Sequence, residues 1–191
     1  MARQRKAKMF SLERIAPKIW HMHFDTQYDM IMHFVRFMEC YMGEGAFIKF
    51  ITIKAFKTKY KKDTGKKTFD YVTEWAGFCL KDSNFKKFLE NPTEAFPDKN
   101  IRDELVISIV KTIMAKEGKK FVIIATYKDE DMLDTYRHEL AHAFWHLNKK
   151  YKKEMRKKIA EINKTNLKQI YELLAKTYPD NNENELNNEL Q

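Results

Sequence analysis

Apolar residues recur every three or four positions over several long stretches of the chain, and this period is typical of helices with one buried face. The clearest stretches cover residues 26–42 and 101–116. Asp25 is placed to cap the first helix, which the sequence GEG at 43–45 ends, and Gly118 ends the second. Further helices are predicted from Asn84, as its cap, to Glu90 and after Asp131, and one or two more between Lys149 and Tyr178.

Strand-like segments are fewer and shorter. The bulky, alternating sequence KIWHMHF at 18–24 and the apolar sequence KFVIIATY at 120–127 predict two strands, and residues 68–80 predict a third. Residues 46–62 fit either a strand or a short helix that begins after Thr52. The chain is therefore expected to be an α+β protein, mostly helical with a small sheet, in which residues 120–127 form a buried or an edge strand.

The composition favours one compact domain. Five glycines and four prolines among 191 residues leave little flexible linker, and the hydrophobic content of 43% is enough for a core. We expect a single domain over residues 1–191, with a basic tail at about 1–9, a loop at 91–100 and an acidic tail at about 180–191.

The formal charge of +9 suits a partner that is acidic, such as nucleic acid, although a lysine-rich surface that faces only solvent explains it more simply. Cys40 and Cys79 are far apart and form no CxxC motif, which indicates reduced thiols. No signal peptide or membrane-spanning stretch is visible. These features predict a cytoplasmic protein.

The sequence YRHELAHAFWHL at 136–147 carries the clearest candidate chemistry. On a helix, His138 and His142 are one turn apart on the same face, so both imidazoles can reach one metal ion. Glu139 is then placed beside a water molecule bound to that ion. Zinc lowers the pKa of a bound water to about 7, and a nearby carboxylate can take its proton as the water attacks a carbonyl carbon.

This stretch resembles the active-site helix of the zincin superfamily of zinc metallopeptidases. The resemblance implies that His138 and His142 bind Zn²⁺, that Glu139 is the general base, and that the strand before the helix aligns an extended peptide. It covers this helix and that strand. The histidine spacing also resembles ImmA/IrrE-type peptidases, and HELAHA is similar to SprT-like proteins, but the further signatures of both groups are missing.

A catalytic zinc usually has three protein ligands. His146 is about 12 Å along the helix axis from His138, which is too far for both to bind one ion easily. The resemblance to gluzincin-like sites implies a glutamate from a later part of the chain. We rank Glu189 first, then Glu172 and Glu161; the remaining candidates are Glu154, Glu183 and Glu185.

Other groups offer alternatives. His21 and His23 alternate on a strand and form a second possible metal set with His33. Four side chains near the motif in sequence could steady a substrate carbonyl: Tyr127, Tyr136, Arg137 and Tyr151.

The sequence therefore predicts a zinc-dependent peptidase in which Glu139 activates water and the strand at 121–127 offers its edge to a peptide. The rival hypothesis is a basic module that keeps a structural or vestigial metal site. Such a module would bind nucleic acid or protein through its lysine-rich segments 54–67 and 149–158.

Overall fold

The structure, a computed structural model, describes residues 9–39, 52–92 and 96–177. It confirms the predicted α+β class, with seven α-helices and four strands in the described ranges. A 3₁₀ turn covers Asp70–Thr73. The strands are β1 (Phe10–Ala16), β2 (Ile19–Phe24), β3 (Gly77–Lys81) and β4 (Val122–Tyr127). The helices are α1 (Gln27–Glu39), α2 (Ile53–Thr64), α3 (Asp82–Glu90), α4 (Ile101–Glu117), α5 (Met132–Leu147), α6 (Lys149–Glu161) and α7 (Lys164–Thr177).

The four strands form one mixed sheet in the order β1-β2-β4-β3. β2 and β4 are parallel, whereas β1 pairs with β2, and β3 with β4, in antiparallel fashion. β4 is thus hydrogen-bonded on both sides, and the prediction that this strand offers its edge to a peptide is wrong. The short, uncharged sequence VIIATY fits this central position, because a central strand is covered on both faces.

One face of the sheet builds the hydrophobic core. The register places Met22, Ala125 and Phe78 in one row across β2, β4 and β3, and all three are buried. Phe34 of α1 lies over this face, with its ring centroid 6.3 Å from that of Phe78. Phe37, one turn later, packs against aromatic rings of α3. α1 is therefore held between the sheet and α3.

The opposite face of the sheet is more polar. Alternation along the strands places His21, Thr126 and Cys79 there, in two neighbouring rows of the register. Glu13 of β1 pairs with His21 and extends one row to the edge of the sheet.

Several predicted elements differ from the structure. β1 was not predicted, and within residues 68–80 only Gly77–Lys81 form a strand. The N-terminal part of that segment is a 3₁₀ turn instead, because Tyr71 is buried against Phe56 of α2. Residues 53–64 are helical, which decides between the two alternatives for the segment after Thr52.

Two of the predicted helix caps are also wrong. The hydroxyl of Thr26, rather than Asp25, accepts the hydrogen bond from the backbone amide of Asp29 in the first turn of α1. Asn84 lies inside the first turn of α3, where its side chain accepts from the backbone amide of Lys81. By contrast, α4 begins after Asn100 and ends at Gly118, close to its predicted limits. The predicted stop at 43–45 and the strand alternative at 46–51 lie outside the described residues.

Two compact units can be distinguished, Met1–Glu139 and Leu140–Gln191. The first contains the sheet and its core, and the second contains the rest of α5 with α6 and α7. Within the described ranges, no helix has the length and apolar character needed to cross a bilayer.

Candidate metal centre and the polar sheet face

The predicted motif lies on one uninterrupted helix. α5 runs from Met132 to Leu147, so His138 and His142 are one turn apart on the same side, about 6 Å along the axis. His138 is exposed, His142 is half-buried, and Glu139 is only 8% exposed. The boundary between the two units falls directly after Glu139.

The first half of α5 crosses the polar face of the sheet. Tyr136 lies over β2, with its ring centroid 4.9 Å from that of His21. Thr135 and Glu139 are one helical turn apart on α5. Both lie beside Gly77 at the start of β3. These contacts place Glu139 next to the terminal strand of the sheet and point it away from solvent.

Gly77 permits this close approach. A β-carbon built on Gly77 would lie 2.6 Å from Thr135 Cγ2, 3.1 Å from the Ala125 carbonyl oxygen and 3.2 Å from Glu139 Cγ. The first distance is well below van der Waals contact, and its partner is a β-branched side chain on a helix with little freedom to rotate. Any larger residue at this position would push β3 and α5 apart.

Cys79, two residues further along β3, shows the electrostatic effect of Glu139. Its free thiol is partly shielded from solvent on the polar sheet face. Burial raises the pKa of this thiol, and the carboxylate of Glu139 raises it further. The carboxylate of Glu139 on α5 therefore lies close enough to β3 to affect the Cys79 thiol electrostatically.

A buried threonine joins two histidines on the same face. Thr126 is fully buried, and its Oγ1 lies 2.8 Å from His21 Nε2 and 3.2 Å from His23 Nδ1. His21 Nδ1 lies 3.5 Å from a carboxylate oxygen of Glu13. When both histidines are neutral, the Thr126 hydroxyl can donate a hydrogen bond to one imidazole nitrogen and accept one from an N–H of the other.

Burial lowers the pKa of His21, because the charged imidazolium loses water. Hydrogen bonding to Glu13 opposes this effect, and the neighbouring His23 reinforces it. His21 is therefore a neutral ring on the polar face of the sheet, and it packs against Tyr136 in the first half of α5.

His33 does not join this pair. It belongs to α1, is 1% exposed and packs against Phe24 on the core face, with ring centroids 5.1 Å apart. Its Nδ1 lies 2.6 Å from the carbonyl oxygen of Asp29, and burial lowers its pKa. The alternative metal set of His21, His23 and His33 is thus wrong, because the sheet separates its members.

The side chains suggested for a substrate carbonyl have different surroundings. Tyr136 packs on His21, whereas Arg137 forms an exposed ion pair with Asp134 at 3.2 Å. Tyr127 packs against the core, and burial together with a hydrogen bond to Asp129 raises its pKa to about 12.

In the second unit, aromatic side chains join α5 to α6. Phe144 and Tyr151 have ring centroids 5.7 Å apart. Lys152 Nζ and the Arg156 guanidinium lie over the ring of Trp145, at 4.7 and 5.5 Å from its centroid. His142 and His146 are both half-buried on this part of α5.

The third metal ligand stays a prediction. Glu189, ranked first, lies outside the described residues, as do Glu183 and Glu185. Glu161 and Glu172 are exposed and form ion pairs with lysines one helical turn earlier, each at 3.8 Å, and Glu154 forms a similar pair. Among the residues that the structure describes, no three histidine, cysteine or acidic side chains are grouped for a metal ion.

The motif residues fit part of a zinc site. Two imidazoles one turn apart on a continuous helix suit two ligand positions, and an acidic side chain between them suits a base. Sequence reasoning missed the contributions of Gly77, Thr126 and Glu13. Only the alternation of His21 and His23 on a strand gave a local signal for this face.

Comparison of the chain with models of known protein families, with characterised proteins and with solved structures gives no significant match. The resemblance to zincins therefore rests on the motif helix and the strand before it.

Proposed function

We propose that the protein is a zinc-dependent peptidase in which His138 and His142 bind Zn²⁺ and Glu139 is the general base. The observation that carries this proposal is the placement of Glu139. It is buried at the start of β3 on the same helix as the two histidines. A glutamate exposed to solvent would not support the proposal.

The chain's own groups have distinct roles in this proposal. Zinc, when bound, polarises the substrate carbonyl and acidifies water. His138 and His142 hold the ion, and Glu139 accepts a proton from the attacking water and passes it to the leaving amine. Gly77 keeps β3 close to Glu139, so that the reacting peptide bond and the carboxylate can share one side of the helix. A further carboxylate, for which Glu189 is our first choice, completes the ligands.

The substrate in this proposal is an extended peptide that pairs with β3. β4 has neighbours on both sides, whereas β3 ends the sheet in the described part of the chain. β3 is also the strand that contacts Glu139. A terminal strand leaves backbone groups open for an added strand, and such pairing holds a peptide with little dependence on its sequence.

Metal content and cleavage, measured on the same preparations, test the proposal. Wild-type protein should contain zinc and cleave a mixture of fluorogenic peptides. Glu139→Gln should keep the zinc and lose at least about a hundredfold in rate, because only the base is removed. His142→Ala should lose both, and Asp134→Asn, an exposed residue on the same helix, serves as the matched control.

Two outcomes would overturn the proposal. Full cleavage by Glu139→Gln would exclude the general base, and wild-type protein without bound metal at equimolar zinc would exclude the site. The proposal places the enzyme in the cytoplasm, where the free thiol of Cys79 stays reduced.

A further inference from the structure

One flank of α2 carries lysines that form no ion pair with any acidic residue in the described part of the chain. The helix begins after Thr52, whose hydroxyl accepts a hydrogen bond from the Ala55 amide at 3.0 Å, and ends at Gly65 in the left-handed conformation. These two residues define its length and register.

Aromatic contacts fix the rotation of α2 about its own axis. Phe56 and Tyr60 face inward, and Tyr60 is 8% exposed. The ring of Phe56 lies 5.2 Å from that of Tyr71, and the ring of Tyr60 lies 5.3 Å from that of Phe69. With this side buried, the lysines along the adjacent flank project outward.

That flank lines a concave surface of about 310 Å³. Lys54, Lys57 and Lys61 are spaced by three and four residues, so they follow one another along about 10 Å of the helix. Ile53 and Thr58 complete the described lining. The three cations, which we call the α2 lysine row, therefore share one concave surface.

Two other lysines nearby are neutralised. Lys59 forms an ion pair with Asp63, and Lys66 Nζ lies 2.9 Å from a carboxylate oxygen of Glu74. In the described ranges, no carboxylate pairs with any member of the α2 lysine row, and Lys57 contacts only the ring of Phe69, at 5.0 Å. Within these ranges no ion pair therefore offsets the charge of the row.

Asp98 is an acidic group at the start of α2. It accepts a hydrogen bond from the Ile53 amide at 2.8 Å and forms an ion pair with Arg36 at 2.7 Å. Arg36 also pairs with Asp103, at 3.3 Å, and in the described ranges Asp98 forms no ion pair with the row.

The more basic helix α6 is a weaker candidate. Two of its lysines pair with glutamates one turn later, Lys150 with Glu154 and Lys157 with Glu161. Lys152 and Arg156 cover the Trp145 ring instead of extending freely. Four of its seven basic side chains are thus engaged within the second unit, whereas Lys54, Lys57 and Lys61 line one concave surface.

We propose that the α2 lysine row binds the phosphodiester backbone of a nucleic acid. Lysine is a compact cation that suits phosphate oxygens, and a row of cations along a helix can contact successive phosphates of one strand. The described lining offers cations for phosphate oxygens, so we expect binding with little dependence on base sequence. This proposal does not depend on the peptidase proposal.

Paired variants of one helix test it. Lys54→Gln/Lys61→Gln removes two charges from the row, and Lys59→Gln/Lys62→Gln removes two charges from the other side of α2. Fluorescence anisotropy with labelled single-stranded and duplex oligonucleotides, over a series of salt concentrations, gives affinity and salt dependence. The two probes distinguish which form of nucleic acid supplies the phosphates.

The row variant should bind at least about tenfold more weakly than wild type. The slope of log affinity against log salt concentration should become less negative, by about 1.4 for a single strand or about 1.8 for a duplex, because two charges are removed. The control variant should stay close to wild type. Equal losses in both variants, undetectable binding by wild type, or equally tight binding of polyglutamate would each overturn the proposal.

Discussion

Gly77 and Thr135 face each other so closely that a β-carbon on Gly77 would lie 2.6 Å from Thr135 Cγ2. This relationship joins the terminal strand of the sheet to the helix that carries the proposed catalytic motif. It also places the Gly77 backbone beside Glu139. The geometry of the candidate site therefore depends on a residue without a side chain, 62 positions before the glutamate in the sequence.

Gly77→Ala should destabilise the first unit and reduce cleavage. The added methyl group overpacks the contact between β3 and α5, which typically costs about 1–3 kcal/mol. Urea denaturation measures the stability, and zinc content should stay unchanged because both histidines belong to one helix.

A second substitution makes this steric explanation testable. Thr135→Ser removes the Cγ2 that is closest to the added methyl group, so Gly77→Ala/Thr135→Ser should be more stable than Gly77→Ala alone. If the double variant is as unstable as the sum of the two single variants, the clash with Thr135 is not the cause.

Thr126→Val should destabilise the protein more than Thr126→Ser. Valine has nearly the same shape as threonine but lacks the hydroxyl, and it leaves nitrogen atoms of His21 and His23 without their partner. An unsatisfied buried polar group costs about 1–3 kcal/mol. Serine keeps the hydroxyl and loses only a methyl group, about 1 kcal/mol. Wild-type stability of Thr126→Val would show that the bridging hydroxyl contributes nothing.

Stability should fall as the pH is lowered from about 7 toward 5. Burial lowers the pKa values of His21 and His33 below their unfolded value of 6.5, so below that pH the unfolded chain binds protons that the folded protein does not. Each histidine contributes at most about 1.4 kcal/mol per pH unit.

Denaturation of His21→Gln at pH 7.5 and 5.5, beside wild type, isolates the contribution of His21. The variant should lose less stability between the two pH values than wild type does, and adding His33→Gln should reduce the loss again. An unchanged pH dependence in His21→Gln would mean that His21 takes up its proton equally in both states.

Local pattern was enough to predict the α+β class, α4 and the continuous motif helix. Each depends on periodicity or on nearby capping residues such as Asn100. The helical period of α5 also places His138 and His142 on one side without any reference to the rest of the chain.

Long-range pairing explains the errors. β1 is an edge strand with the mixed sequence FSLERIA, and its role depends on pairing with β2 and on the contact of Phe10 with Phe24. The central position of β4 depends on its pairing with β3, a strand that begins 45 residues earlier in the sequence. The contact between Gly77 and Glu139 follows from the same pairing, and no local pattern indicates it.

Glu189 is our proposed third zinc ligand, and the zinc affinity of its variants tests this choice. Glu189→Ala should weaken zinc binding by more than the roughly 10–100-fold that loss of a residue supporting a ligand causes, because a direct ligand is removed. Glu161→Ala and Glu172→Ala should bind zinc like wild type, since both side chains form exposed ion pairs on their own helices. Competition with a chromophoric chelator measures all three affinities. Normal affinity in Glu189→Ala, with a loss in Glu161→Ala or Glu172→Ala, would transfer the assignment to that helix. Cobalt substitution adds a spectroscopic check, because the visible spectrum of the bound ion changes with the number of its ligands, independently of any cleavage.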